Sequence, residues 1–274
     1  MNLESLFNLT DKVVAITGGA GVLGGDIACA LAEQGCKIAI MDIRTELNES
    51  VVKRLQDSKA EYKVFQCDVL DKESIEKCKD DILAYFNRID ILVNGAGGNH
   101  PKSTTSPDQR FFDIPADAFN WVMQLNLMGT VLPSQIFGKY FAEQNQGVIL
   151  NVSSMNAFRP LTRIPAYSAA KAAVSNFTQW LAVHIAQEYS AKIRVNAVAP
   201  GFFLTNQNRF LLTDEKTGEL TERGKSIIGH TPMGRFGDPE DLVGTILWLL
   251  SPASNFVTGI VVPVDGGFSA FSGV

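Results

Sequence analysis

Residues 17–25 read "TGGAGVLGG", directly after the apolar run "VVAI" at 13–16 and ahead of a helical repeat of Leu23, Ile27 and Leu31. An apolar strand, a glycine-rich turn and an amphipathic helix, in that order, are the opening of a βαβ unit that binds nucleotides. The turn can be spelled in two ways. Gly19, Gly21 and Gly24 give G-x-G-x-x-G. Thr17 and Gly18 instead begin T-G-x-x-x-G-x-G, whose middle glycine would fall where Val22 stands. In either spelling the amides at the head of the helix can approach a pyrophosphate, and the helix N-terminus favours its charge. Glycines that serve packing alone are the competing reading. A valine amide donates as a glycine amide does, but a branched side chain excludes positive φ. An altered backbone path at Gly21–Val22 is therefore expected.

Working outward, short β-branched runs alternate with helical patterns along the 274 residues. The strand candidates are 12–17, 37–42, 62–69, 90–97, 147–154, 193–201 and 259–267. They are nearly continuous in apolar residues, as strands buried on both faces are. This predicts an α/β fold with a doubly wound, seven-stranded parallel sheet in a single domain spanning 1–274. Asp71 is a candidate helix N-cap, and Pro239 a candidate first helical residue. Two stretches break the alternation, 98–115 and 202–236. Each follows a strand end, where the ligand crevice of such a sheet lies, so both are expected to cover a substrate.

A carboxylate about 20 residues beyond the glycines strengthens the nucleotide reading. Asp42 stands 18 residues past Gly24 at the end of the second strand. There it would accept a hydrogen bond from a ribose and repel a 2′-phosphate, favouring NAD over NADP. Arg44 nearby moderates that preference, and a plain turn role for Asp42 stays open. Tyr167 and Lys171, in "AYSAAK", lie four apart on one helix face. Lowering a phenol by three pKa units takes roughly 4 kcal/mol. One cation about 4 Å away supplies about that at an effective dielectric near 20. Ser154 ends the strand "GVILNVSS", thirteen residues before Tyr167. Asn126 sits mid-helix, where asparagine is a poor former, which points to a buried polar role.

The pieces "TGGAGVLGG", "CDV", "NGAG", "LN" at 125–126, "NVSS", "YSAAK", "VNAVAPG" and "VDGG" stand in one order along nearly the whole chain. In this the sequence resembles the short-chain dehydrogenases/reductases. The resemblance implies a Rossmann-like fold, a nicotinamide cofactor and a catalytic tetrad of Asn126, Ser154, Tyr167 and Lys171. Tyr167 would exchange the proton, Lys171 would lower its pKa and hold the ribose, Ser154 would orient the carbonyl, and Asn126 would hold a relay water. The cofactor would meet Gly18, Gly21, Val22, Leu23, Gly24, Asp42, Asp68, Val69, Asn94, Ala96, Gly97, Tyr167, Lys171, Pro200, Gly201, Phe203 and Thr205.

The two inserts and the 154–167 segment are polar and cationic, which suits a polyhydroxylated, anionic substrate better than an acyl chain. Asn99, His100, Asn156, Arg163 and Asn208 are its candidate contacts. "NGAGGNHP", "PGFFLTNQNRFLL" and "VDGGFSAFSGV" look like the D-mannonate oxidoreductase (fructuronate reductase) branch of the family. That resemblance implies interconversion of D-mannonate and D-fructuronate. A gluconate, sugar or polyol dehydrogenase, a 3-oxoacyl or carbonyl reductase, and a non-catalytic NAD-binding regulator are the alternatives. The net charge of −5 gives no footprint for nucleic acid. No run is long enough to span a bilayer, and no histidine has metal-ligand spacing. Four scattered cysteines without a C-x-x-C pair read as reduced thiols of a cytoplasmic protein. The resemblance also implies a homotetramer.

Overall fold

The computed structural model describes residues 2–204, 212–214 and 217–273. Among them a seven-stranded sheet runs β1 (Val13–Thr17), β2 (Lys37–Asp42), β3 (Tyr62–Gln66), β4 (Ile91–Asn94), β5 (Gly147–Val152), β6 (Ile193–Pro200) and β7 (Val261–Val264). The spatial order is β3-β2-β1-β4-β5-β6-β7, with every neighbouring pair parallel. The order reverses between β1 and β4, and in such sheets the crevice for a ligand opens there, at the carboxyl ends of the strands.

The alternating pleat explains the continuous apolar runs. Val14, Ile16, Ile38, Ile40, Ile91, Val93, Leu150 and Val198 point to one core. There they meet α2 (Val22–Glu33), α3 (Glu49–Asp57) and α9 (Glu240–Leu250). Val13, Ala15, Ala39, Met41, Leu92, Ile149 and Val195 point to the other. That side is covered by α4 (Lys72–Phe86), α6 (Gly129–Glu143) and α7 (Pro165–Glu188). The inner strands are buried on both faces, which leaves little room for a polar alternation, whereas the edge strands β3 and β7 are only partly covered. Asp71 caps α4 by accepting from the Glu73 amide. Pro239 stands one residue ahead of α9, as its cap.

The strands are shorter than the apolar runs suggest. Residues 67–69, 95–97 and 153–154 leave the ladder at its carboxyl edge, and the first two of these segments line the crevice. The first insert carries two single turns, Pro101–Ser103 and Phe111–Asp113, and precedes α5 (Ala116–Met123). The second holds more structure than its sequence suggests, namely α8 (Glu222–Gly229), capped by the Thr221 hydroxyl. Its two glycines, Gly224 and Gly229, dilute the helical signal. A short helix α1 (Leu3–Phe7) precedes β1. No helix among the described residues is long and apolar enough to cross a membrane.

Candidate active site

The glycine turn settles its own spelling. Gly18 has φ +67°, and a Cβ there would lie 2.7 Å from the Ala96 Cα. A Cβ on Gly24 would collide with the Gly18 carbonyl oxygen. These are the outer glycines of T-G-x-x-x-G-x-G, and both are sterically fixed. Gly21 has φ −73° and caps α2, and Val22 is the first residue of the helix. A helical residue has negative φ, which valine adopts without strain. The altered path expected at Gly21–Val22 is not needed, because the middle position of this motif takes any side chain that can start a helix. The first amides of α2 have no partner within the helix.

The turn opens onto a cleft of about 600 Å³ that runs past Asp42, Asp68 and Val69 to Ala96, Gly97, Tyr167 and Lys171. That volume lies within the roughly 300–1,000 Å³ usual for small-molecule sites. Asp42 is buried and ties the wall together. One carboxylate oxygen accepts from the Ala20 amide at 3.0 Å, the other from the Arg44 amide at 3.0 Å. The Arg44 guanidinium stands 3.7 Å from the latter. A sterically bare glycine turn, free helix amides and a carboxylate at the end of β2 fit a dinucleotide with an unphosphorylated ribose.

Four residues expected against the cofactor sit differently. Asn94 is turned beneath the cleft floor, where its amide donates to Ser134 Oγ at 2.9 Å and Asn151 Oδ1 at 2.8 Å. It is the last β4 residue with a β1 partner, so its side chain belongs to the sheet interior. Pro200 ends β6 opposite Val264 of β7, and a Cβ on Gly201, the next residue, would lie 2.6 Å from Asp265. Phe203 is buried in the core beside Gly237. Its apolar ring is better placed there than against a charged ligand. Thr205 lies outside the described residues. Cys67 of "CDV", Leu125 of "LN", and Ile43 and Trp121, which no motif announces, also line the cleft. For Trp121, which is 45% exposed, the one signal is a large aromatic left open on α5.

The chemistry side converges. Asn126 is wholly buried on a π-helical turn, Gln124–Met128, between α5 and α6, a feature frequent at functional sites. Its amide donates to the Gly98 carbonyl at 2.7 Å and accepts from the Gly98 amide at 3.2 Å. That clamp fixes the start of the first insert. A Cβ on Gly97 would lie 2.7 Å from Asn126 Oδ1 and 3.3 Å from Lys171 Nζ, so the bare backbone of Gly97 is what lets both approach the cleft. Ser154 caps the turn Met155–Ala157 by accepting from the Asn156 amide, and its hydroxyl acts on the Tyr167 phenol, lowering its pKa. Lys171 is buried and donates to the Val152 carbonyl at 2.7 Å.

Burial lowers the Lys171 ammonium to about 8. Burial raises the Tyr167 phenol above its ordinary value, and the Ser154 hydroxyl offsets only part of this. The expected depression of the phenol by Lys171 is absent here. The ammonium is directed at Val152 and stands 5.6 Å from the centre of the Tyr167 ring. The phenol thus keeps its proton at neutral pH.

The expected substrate contacts do not form one cluster. Asn99 bonds Thr104 Oγ1 at 2.8 Å within its own loop. His100 accepts from the Lys102 amide and packs edge-on against Trp121 at 5.3 Å. Asn156 is buried and holds the Leu161 amide at 3.2 Å. Arg163 lines a second cavity, beside α8, and Asn208 lies outside the described residues.

Residues 18–269 match the short-chain dehydrogenase family model described as enoyl-(acyl carrier protein) reductase. The uncharacterized oxidoreductase UxuB of Bacillus subtilis (strain 168) is 48% identical over 276 residues, 97% of this chain and 98% of that protein. A crystal structure of a candidate D-mannonate oxidoreductase from Haemophilus influenza, with bound NAD, is 44% identical. Its TM-score is 0.90, with 100% of both chains covered. The 5-keto-D-gluconate 5-reductase of Escherichia coli (strain K12) is 33% identical over 268 residues, 97% of this chain and 98% of the relative.

Proposed function

Because the chain belongs to the short-chain dehydrogenase/reductase family, we propose that it is an NAD-dependent oxidoreductase that interconverts D-fructuronate and D-mannonate. One observation carries the oxidoreductase reading: Tyr167 and Lys171 line the same cleft as the glycine turn and Asp42. Bound NADH supplies a hydride to the carbonyl carbon, and NAD accepts one in reverse. Tyr167 Oη donates its proton to the oxygen of the reduced carbonyl, and Ser154 Oγ donates a hydrogen bond to the same oxygen. Lys171, held by the Val152 carbonyl in the same cleft, would hold the ribose of the cofactor, and Asn126 fixes the backbone beside it. A phenol that holds its proton at neutral pH suits the reducing direction. The NAD preference is supported by the buried Asp42 and by the NAD held in the 44% identical structure. The sugar acid is supported by that protein's description and by the keto-gluconate reductase among the relatives. The cytoplasmic reading rests on four buried, free cysteines.

The test is NADH oxidation with D-fructuronate, 5-keto-D-gluconate and simple ketones, repeated with NADPH. D-Fructuronate with NADH is expected to lead in kcat/KM. A lead for 5-keto-D-gluconate would move the enzyme to gluconate chemistry. Tyr167→Phe is expected to lower kcat by about 10²–10⁴, the range of general acid catalysis, with NADH affinity unchanged. Retained turnover would remove Tyr167 from its role.

A further inference from the structure

A second cavity, of about 460 Å³, lies between the 161–164 segment, α8, Phe202 and Phe268. It adjoins the chemistry through a short chain of bonds. Ser154 Oγ accepts from the Asn156 amide at 3.3 Å, and Asn156 Oδ1 accepts from the Leu161 amide at 3.2 Å. Ile164, in the same wall, is the cap of α7, three residues and about one helical turn from Tyr167. The wall is held from the other side too, where the Thr105 amide donates to the Arg163 carbonyl at 2.8 Å.

Two guanidinium groups from separate segments, Arg163 and Arg223, line this cavity. Neither has an acceptor among the described residues. Among the described residues, the one carboxylate in the lining, Glu222, is bound by Lys225 at 2.8 Å. His230 Nδ1 stands 2.8 Å from the Ser226 carbonyl, which fixes the proton there and leaves Nε2 as an acceptor for a hydroxyl. Phe202 and Phe268 meet edge to face at 5.2 Å and offer apolar surface to the C–H groups of a polyol. Arginine pairs, a hydroxyl acceptor and aromatic walls are the chemistry that recognises a sugar acid.

We propose that Arg163 and Arg223 form an anion subsite that seats the substrate's carboxylate, with the polyol chain reaching from there towards Tyr167. This rests on the sugar-acid reading above for the identity of the reacting ketone.

The test pairs binding with turnover. D-Gluconate and sorbitol share a six-carbon polyol chain, with and without a carboxylate. Titration calorimetry on the NADH-loaded enzyme is expected to give D-gluconate at least tenfold tighter binding, about 1.4 kcal/mol. A double variant, Arg163→Ala with Arg223→Ala, is expected to bind both polyols alike and to keep its melting temperature. Arg163→Lys with Arg223→Lys should recover part of the preference, since a lysine supplies charge without the fork. Equal or no binding of the two polyols by wild type, or an undiminished preference in the alanine variant, overturns the subsite. D-Fructuronate turnover separates the two readings. Wild type that discriminates through the arginines but does not reduce D-fructuronate keeps the subsite and loses the proposed substrate. Unchanged D-fructuronate kinetics in the alanine variant do the reverse.

Discussion

At Gly24 a single methyl group decides whether the turn can close, because it would collide with the Gly18 carbonyl oxygen. Gly24→Ala is expected to weaken NADH binding at least tenfold, about 1.4 kcal/mol, in a fluorescence titration. Val22→Gly should leave binding within about twofold, since Val22 is an ordinary first helical residue. A large gain in affinity would show that the valine distorts the turn after all. Lys171 carries a different cost. Its fall from 10.5 to about 8 corresponds to ~3 kcal/mol of destabilisation at neutral pH. Lys171→Met removes that and leaves the Val152 carbonyl without its donor, a loss of ~1 kcal/mol. The net expectation is a variant without activity that melts roughly 3–6 °C higher at pH 7. The sign follows from proton counts. Below pH about 8 the lysine is charged in both states and the whole cost is present. Between there and 10.5 the unfolded chain holds the extra proton, so wild type regains stability as pH rises. The gap between the two melting curves should therefore shrink steadily on going from pH 7 to pH 10.

Among the elements, α9 ends on an unusual cap. Arg194 of β6 is buried, and it donates to the Leu249, Leu250 and Ser251 carbonyls and to Ser254 Oγ. A cation at a helix C-terminus offsets its negative pole, and here it also satisfies carbonyls that water does not reach. Arg194→Met is expected to cost ~2–4 kcal/mol in urea unfolding, with kcat/KM unchanged at 25 °C; an unaltered midpoint would deny the cap its role. The strands were legible because burial on both faces keeps them mostly apolar, their few polar residues, such as Asn151 and Arg194, being buried and hydrogen-bonded. Their ends were not. "NGAG" and "CDV" continue an apolar run, yet pairing stops with the neighbour: Asn94 is opposite Thr17, and Gln66 opposite Asp42. The same edge explains the site. Tyr167, Lys171, Ser154 and Asn126 could be read because helix spacing and strand ends fix them locally. The side-chain direction of Asn94 could not be read, since it is set by α6 and β5, through Ser134 and Asn151, rather than by its own motif. The cavity shared by Arg163 and Arg223 depends on two segments 60 residues apart, which no local pattern relates.

For the whole molecule, apolar surface remains on the outer face of α7. Trp180 is 57% exposed, Val183 56% and Tyr189 61%, and Trp180 stacks on His184 at 4.8 Å. Aromatic groups of this kind are enriched in protein interfaces, and we propose this face as a contact between copies of the chain. Trp180→Asp is expected to lower the mass seen by light scattering to that of a smaller assembly, whereas an unchanged mass would place the contact elsewhere. The sheet order also bears on biosynthesis. The interior strand β1 is made first of the seven, and β2 and β3 build out from one side of it within the first 66 residues. Its other side waits for β4, whose first residue is Ile91. At roughly 5–20 residues per second of translation, β1 leaves the ribosome some seconds before that partner exists. An apolar strand edge is open for that interval, and this is the stage at which a nascent-chain chaperone has most to cover.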